Sequence, residues 1–195
     1  AGRYENPMNY RTDDAARLFD ENGNPLYDTD WQDEAMRTTV STNHNLSFTK
    51  GDKDNSYGIF LNYANQEGLL LNSYLKRYSG RFVTDNKIND WLSVSGGMTF
   101  NHVEENRVDG GVGGLTPLRM IVETLPIVPV QYEDGSYGTN ADYPNMEGGE
   151  NPVNLLRNRE NIFKTQTFLG NVEARISFTD DLQLRSNIGA NIINT

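Results

Sequence analysis

Residues 89–102 read NDWLSVSGGMTFNH. Leu92, Val94, Met98 and Phe100 fall on one parity, and Ser93, Ser95, Gly97 and Thr99 fall on the other. Side chains of a strand alternate between the two faces of its sheet, so this stretch is a strand with one greasy face and one polar face. In a soluble domain the greasy face meets another protein layer. In a membrane barrel it meets lipid.

The pattern recurs along the chain. Phe168, Gly170, Val172, Ala174, Ile176 and Phe178 alternate with Thr167, Leu169, Asn171, Glu173, Arg175 and Ser177. Leu182, Leu184, Ile188, Ala190 and Ile192 alternate with Gln183, Arg185, Asn187 and Asn191. Tyr57, Ile59, Leu61 and Tyr63 make a similar stripe interrupted by Phe60, and residues 44–50 and 78–88 are compatible with strands. Six strands of about ten residues are expected on this count. Short polar turns close the first and second strands (GDKDN), the third and fourth (INDW) and the fifth and sixth (FTDD). Long connections are expected at NQEGLLLNSYLKR and between about Val103 and Lys164.

Short turns at one end, long loops at the other and a polar second face point to an all-β fold. The expectation is an antiparallel up-and-down transmembrane β-barrel segment. A weak internal repeat agrees: GRFVTDNKINDWLSV (Gly80–Val94) and GNVEARISFTDDLQL (Gly170–Leu184) superpose without a gap. Six strands do not close a barrel, and no apolar leader is present, so a piece of a longer polypeptide is expected.

Composition removes several alternatives. With 36% hydrophobic residues, 18 Gly and 10 Tyr, the chain suits strands and turns more than a helical bundle. A net charge of −10 disfavours a nucleic-acid partner. The absence of cysteine excludes a disulfide framework and thiolate metal sites. The longest apolar runs are too short for a membrane helix, so any membrane role falls to strands.

The sequence divides into a linker (1–42), two barrel hairpins (43–105), a long external loop with a short helix (106–163) and a third hairpin (164–195). DTDWQDE (Asp28–Glu34), the NHNLS strand, NYANQEG, KRYSGR and NDWL together resemble the opening of the barrel in SusC/RagA-type TonB-dependent transporters. LPIVPVQYEDGSY (125–137) and ENPVNLL (150–156) resemble segments of that family's next external loop. The resemblance implies a large barrel of 22 strands, plugged by an N-terminal domain and energised by TonB. It also implies a SusD-like surface lipoprotein as a lid, oligosaccharide or peptide as substrate, and the outer membrane of a Gram-negative bacterium as location. Lipid or lipopolysaccharide would then lie against the outer barrel face. A soluble secreted β-sandwich that binds glycans is the competing reading, and a structural adhesin a third.

No catalytic motif is present, and we expect a protein that is not an enzyme and needs no cofactor. GGVGG (110–114) lacks the Lys-Ser/Thr of a phosphate loop and reads as a hinge. His44 and His102 lack ligand-spaced partners and read as structural or interfacial. DENGNPLYDTD (20–30) and YEDGSYGTNAD (132–142) carry enough carboxylates for calcium but miss the EF-hand spacing, so they read first as turns. Tyr132, Asp134, Tyr137, Asn140 and Tyr143, with Asp142 and Asn145 nearby, form the candidate substrate-binding set, because aromatic faces beside amides and carboxylates suit a sugar. Packing within the loop, or against a lid, is the alternative. TPLRMIVETL (116–125) has the cap-like Thr, following Pro and apolar spacing of a short helix over the barrel mouth. Tyr57, Tyr63, Tyr78, Trp91 and Phe178 suit an interfacial girdle, or hairpin-stabilising aromatics in a soluble sheet. Arg81, Asp85, Glu173, Arg175 and Arg185 lie on the polar parity and are assigned to a watery lumen or to plug contacts.

Overall fold

The computed structural model describes residues 17–108, 116–143, 146 and 149–195. The GGVGG stretch and Asn145 lie outside them. Six strands form one antiparallel sheet in sequential order: β1 (Ser41–Gly51), β2 (Asn55–Glu67), β3 (Tyr74–Lys87), β4 (Leu92–Asn106), β5 (Ile162–Ser177) and β6 (Gln183–Asn194). The described residues also contain the short helices α1 (Trp31–Ala35), α2 (Pro117–Glu123) and α3 (Pro152–Asn158) and a 3-10 turn at Asn140–Asp142. No described helix is long and apolar enough to cross a membrane. The all-β, up-and-down reading is therefore observed directly in the strand order.

The chain separates into two compact units. One holds the strands, as Val40–Glu67, Tyr74–Asn106 and Ile162–Thr195. The other combines the chain up to Thr39 with Gly68–Ser73 and Arg107–Asn161.

In the sheet unit, register carries the consequence. Phe48, Ile59, Phe82, Met98, Gly170 and Ala190 occupy one row across all six strands. Leu46, Leu61, Gly80, Phe100, Phe168 and Ile192 occupy the next row of the same face. Because each ladder pairs residues of matching face, alternation in one strand becomes a continuous surface only when all five registers agree. Here they do. Met98 and Phe100 remain 51% and 46% exposed, so no second protein layer packs on these side chains as it would in a sandwich.

The tight turns follow from short acidic or amide side chains that bond their own backbone. Asp52 accepts from Asp54 N (2.8 Å) and Asn55 N (2.9 Å), and Asn89 accepts from Trp91 N (3.0 Å) and Leu92 N (2.8 Å). Those N–H bonds hold the Asp52 carboxyl below its ordinary range.

Two expectations need correction. The strands run from 11 to 16 residues, longer than the anticipated ten or so. The connection between β2 and β3, expected to be long, is only Gly68–Ser73. Asn65, Gln66 and Glu67 pair with Lys76, Leu75 and Tyr74, extending the ladder through residues whose side chains show no clean alternation. Backbone pairing needs only N–H and C=O groups, so it outruns the apolar pattern.

The second unit has its own core, built around Leu18, Trp31, Ala35, Val108, Val128, Val153 and Leu156. The stretch preceding β1, expected to be a linker, contributes α1 to this core. Asp30 caps α1 by accepting from Gln32 N (3.0 Å) and Asp33 N (3.2 Å), while Trp31 is buried and donates Nε1 to the Leu125 carbonyl (3.0 Å). The sequence DTDWQDE thus reads as cap, anchor and first turn. The predicted helix at 116–125 is α2, with Thr116 as cap and Pro117 at its start.

Gly138 makes the tightest approach to another backbone atom among the described glycines of this unit. A Cβ placed there would overlap the Pro129 carbonyl oxygen and Val128 Cγ1. Gly138→Ala is expected to destabilise the unit by about 1–3 kcal/mol through overpacking, measured as lost amide-exchange protection in residues 116–143 of the intact protein.

Candidate functional site: the two strand faces and the tyrosine loop

The sheet offers two surfaces of opposite chemistry. On the apolar face, the rows lying between Tyr57 and Tyr63 on β2 contain no Asp, Glu, Lys or Arg on any strand. At the loop end of this band His44, Tyr63, Tyr78 and His102 form a lateral row. Their ring centroids are 6.2, 4.9 and 6.1 Å apart in succession. Beyond it the next row turns charged, with Lys76 beside Glu104 and Lys164 bonded to Glu104 at 3.2 Å. Apolar band, amphipathic ring row and charged row succeed one another along the strands. On β4 alone the apolar parity stays uncharged from Leu92 to His102, about 33 Å of strand at ~3.3 Å per residue, while on β1 Lys50 shares the row of Tyr57 and Gly96. A tilt of about 40° reduces that to roughly 25 Å, the height of an outer-membrane barrel's lipid-facing belt.

The opposite face is polar. Arg81, Asp85, Glu173, Arg175 and Arg185 all lie on it, as their shared parity required. They are not one cluster. Glu173, Arg175 and Arg185 meet at the turn end of β5 and β6, with Glu173 Oε1 accepting from Arg175 (3.3 Å) and facing Arg185 Nε at 3.4 Å. Asp85 sits two strands away, in the same row as Ser95 and Glu173, and Arg81 lies two rows further along. The reading of single residues overlooked an amide ladder on this face. Asn62 Nδ2 donates to Asn43 Oδ1 (2.5 Å) and Asn45 Oδ1 (2.8 Å), tying β1 to β2. It also passed over Arg77, although the alternation Arg77, Ser79, Arg81 was visible in KRYSGR. A surface of amides, hydroxyls and guanidinium groups suits water and polar solutes.

The tyrosine loop is organised by its own hydrogen bonds. Tyr132 is buried, with Oη donating to Asp142 (3.1 Å) and Arg17 stacked 3.8 Å from the ring centroid. Burial, then the Asp142 carboxylate, push its phenol well above the ordinary range. Asn140 accepts from Leu125 N (2.9 Å) and donates to the Glu123 carbonyl (3.2 Å). Asp134 closes the turn at Gly135 (φ 83°) by accepting from Ser136 and pairs with Arg17 at 2.8 Å. Tyr143 packs against the core beside Phe19, and Tyr137 is half-buried, bridging to Gln131. Of the candidate set, then, Tyr132, Asp134 and Asn140 hold the loop in shape, Tyr143 packs on the core, and Tyr137 is half-buried outside that cluster. Asp20 likewise spends its carboxylate on its own turn, accepting from Asn22 N (2.9 Å) and Asn24 N (2.7 Å).

Asn151, absent from the candidate list, is the polar hub of this unit. Its Oδ1 caps α3 through Val153 N and Asn154 N (3.0 Å each), and its Nδ2 donates to the Val130 and Gly138 carbonyls (2.9 Å each). The signal was the Asn-Pro of ENPVNLL, an N-cap followed by Pro at the first helical position. Asn151→Ala removes the cap and strands two carbonyls, so a loss of about 2–4 kcal/mol is expected from hydrogen exchange across 116–143 and 149–161.

Bonds from Ser136 and then the Arg17 charge hold the Asp134 carboxyl below the ordinary carboxylate range. A depressed carboxyl stabilises the folded turn above its unfolded pKa, and that contribution disappears as pH falls through the lower folded value. Protease resistance of the 132–137 turn should therefore decline below about pH 4, and Asp134→Asn should flatten the profile.

Comparison with known proteins agrees with this geometry. No family model matches the chain. TonB-dependent receptor P3 of Formosa agariphila is 30% identical over 172 residues, covering 86% of this chain and 17% of the relative. TonB-dependent receptor SusC of Bacteroides thetaiotaomicron is 27% identical over 180 residues, covering 83% of this chain and 18% of the relative. Among solved structures, the RagAB peptide transporter shares the fold, with a TM-score of 0.65 and 22% identity over 86% of this chain and 19% of the transporter chain. The chain spans less than a fifth of each of these proteins. Shared sequence and shared strand architecture identify it as a segment related to the SusC/RagA-type TonB-dependent receptors.

Proposed function

We propose that this chain is the opening barrel segment of an outer-membrane transporter of a Gram-negative bacterium. The complete protein imports oligosaccharides or peptides, draws energy through TonB and works with a SusD-like surface lipoprotein. The observation that carries the reading is the apolar face. It is continuous over six registered strands, free of formal charge through its central rows and substantially exposed. Water penalises such a surface, and hydrocarbon does not. The polar face lines the aqueous passage, with Arg81, Asp85, Glu173, Arg175 and Arg185 directed to the lumen or to whatever fills it. The tyrosine loop, through Tyr137 and its neighbours, contacts the cargo or the lid at the external mouth. Transport needs no bond to be broken on the cargo, in keeping with a protein that is not an enzyme.

The chemistry of each face predicts distinct failures. Leu61→Arg puts a guanidinium near the middle of the apolar belt and should cost about 2–4 kcal/mol of barrel stability, with reduced recovery in the outer-membrane fraction. Asn62→Arg, one residue along and on the polar face, should insert normally. Equal recovery of both variants, or an intact gene product that stays monodisperse in buffer without detergent, would overturn the barrel reading. Deletion of the gene should also abolish growth on one class of oligosaccharide or peptide while leaving growth on its monomers intact.

A further inference from the structure

Charge is not spread evenly over the polar face. Four successive rows, those of Arg77, Ser79, Arg81 and Val83, hold no Asp or Glu on any strand they cross, and their only charged residues are Arg77 and Arg81. The carboxylates of this face lie beyond them, Glu105 toward the loops and Asp85 and Glu173 toward the turns. In a chain of net charge −10 this is a local excess of cation. Both arginines are exposed. Opposite Arg77 stand Ala64 and Val103, and opposite Arg81 stand Phe60 and Thr99, so neither charge is answered across its ladder.

Between the two arginines the wall is neutral and rich in hydrogen-bonding groups. Ser79 is flanked by Asn62 on β2 and Asn101 on β4, and the same row continues to Asn45 and Thr167. Asn62 spends its amino group on the side-chain oxygens of Asn43 and Asn45, whose own amino groups face outward from an exposed edge. Amides and hydroxyls both donate and accept, as the hydroxyls of a sugar do. Phe60, directly opposite Arg81 and 38% exposed, adds an aromatic ring. Gly58 gives that ring its seat, because a Cβ there would stand 2.8 Å from Phe60 Cε2. A ring resting on bare backbone keeps its far side open for the apolar face of a sugar.

We infer that Arg77, Arg81, Phe60 and the amide row between them form a wall subsite for a carboxylate-bearing oligosaccharide that runs along β3. This rests on the transporter reading above and narrows its cargo. Arg77 is next to Tyr78 of the ring row at the loop end, which is the external side of such a barrel. A cargo entering from outside meets Arg77 first and Arg81 about 13 Å of strand further in, at ~3.3 Å per residue. Each guanidinium takes one carboxylate through two parallel bonds. An acidic oligosaccharide is favoured over an acidic peptide because β3 is paired on both sides along this stretch, leaving no free edge for a peptide backbone. What remains exposed is the amide, hydroxyl and ring chemistry that recognises a sugar.

The test measures binding of fluorescently labelled oligosaccharides to outer-membrane vesicles containing the full-length gene product, with vesicles from a deletion strain subtracted. The probes are tetramers of galacturonate, mannuronate, guluronate and glucuronate, each beside its carboxyl-reduced neutral form, and a tetraglutamate peptide. One or more of the uronates should bind, and reduction of its carboxyls should weaken binding about tenfold or more. Arg77→Gln and Arg81→Gln should each weaken the acidic tetramer about tenfold and lower the salt dependence of its binding, and Arg81→Lys should retain part of the affinity. Phe60→Ala should weaken the same tetramer with its salt dependence unchanged.

Binding of none of the uronates would overturn the proposal, as would uronate binding that both arginine variants leave unchanged while reaching the outer-membrane fraction. So would neutral forms that bind as well as the acids, or tetraglutamate that binds more tightly than every uronate, because the cargo would then be a neutral sugar or a peptide. A gene product missing from the outer-membrane fraction would instead overturn the barrel reading itself, so the two failures are distinguishable.

Discussion

The antiparallel ladder, five registers held in step, is the constraint on which everything else in this protein depends. A slip of one residue at any ladder would turn all the apolar side chains of one strand to the wrong face. The register is secured at the tight turns. Asp52 and Asn89 bond to the backbone two and three residues ahead of them, fixing how many residues each turn consumes. Local side-chain chemistry at two short turns therefore controls the composition of a surface several strands wide.

That surface explains how a chain with a mean hydropathy of −0.67 and only 36% hydrophobic residues presents a face whose central rows are uncharged. The apolar residues are few but sorted. In a soluble core they would be concentrated inside the sheet packing, and the exposed positions would be polar. Here the core in that ordinary sense belongs to the other unit, where Leu18, Trp31, Val128, Val153 and Leu156 are buried among neighbours. The chain thus contains two different solutions to the same problem. One unit hides its apolar groups within itself, and the sheet presents its apolar groups outward.

The two units also differ in how their polar groups are used. In the loop unit, amides and carboxylates are structural: Asp30 and Asn151 start helices, Asn140 ties two segments together, and Asp134 closes a turn. Each satisfies backbone groups that burial would otherwise leave unpaired. On the polar strand face the side chains bond mostly to one another, as in the Asn43–Asn62–Asn45 ladder and the Glu173–arginine cluster, and keep capacity facing outward. Spare bonding capacity is what a solute-facing wall requires. It is the property that separates this face from the tyrosine loop, whose best-placed polar atoms are already committed.

Alternation along the chain was enough to establish the strands, their number, the tight turns and the division of residues between faces. The reason is physical: a period of two is a property of the extended backbone and needs no knowledge of neighbours. The helix start at Thr116-Pro117 was likewise legible, since capping is local, and Asn151-Pro152 carries the same local signal although only the first helix was expected. Three matters waited for tertiary structure. Strand ends extended past the alternating pattern, because backbone pairing at Asn65–Glu67 is indifferent to side-chain type. The division of labour among the tyrosine-loop residues depended on partners as distant as Arg17 and Leu125, which no spacing rule connects. The meeting of Arg175, Arg185 and Glu173 around a single oxygen was set by the pairing of β5 with β6. Period and capping are written in neighbouring residues, whereas register and shared partners exist only once separate parts of the chain have come together.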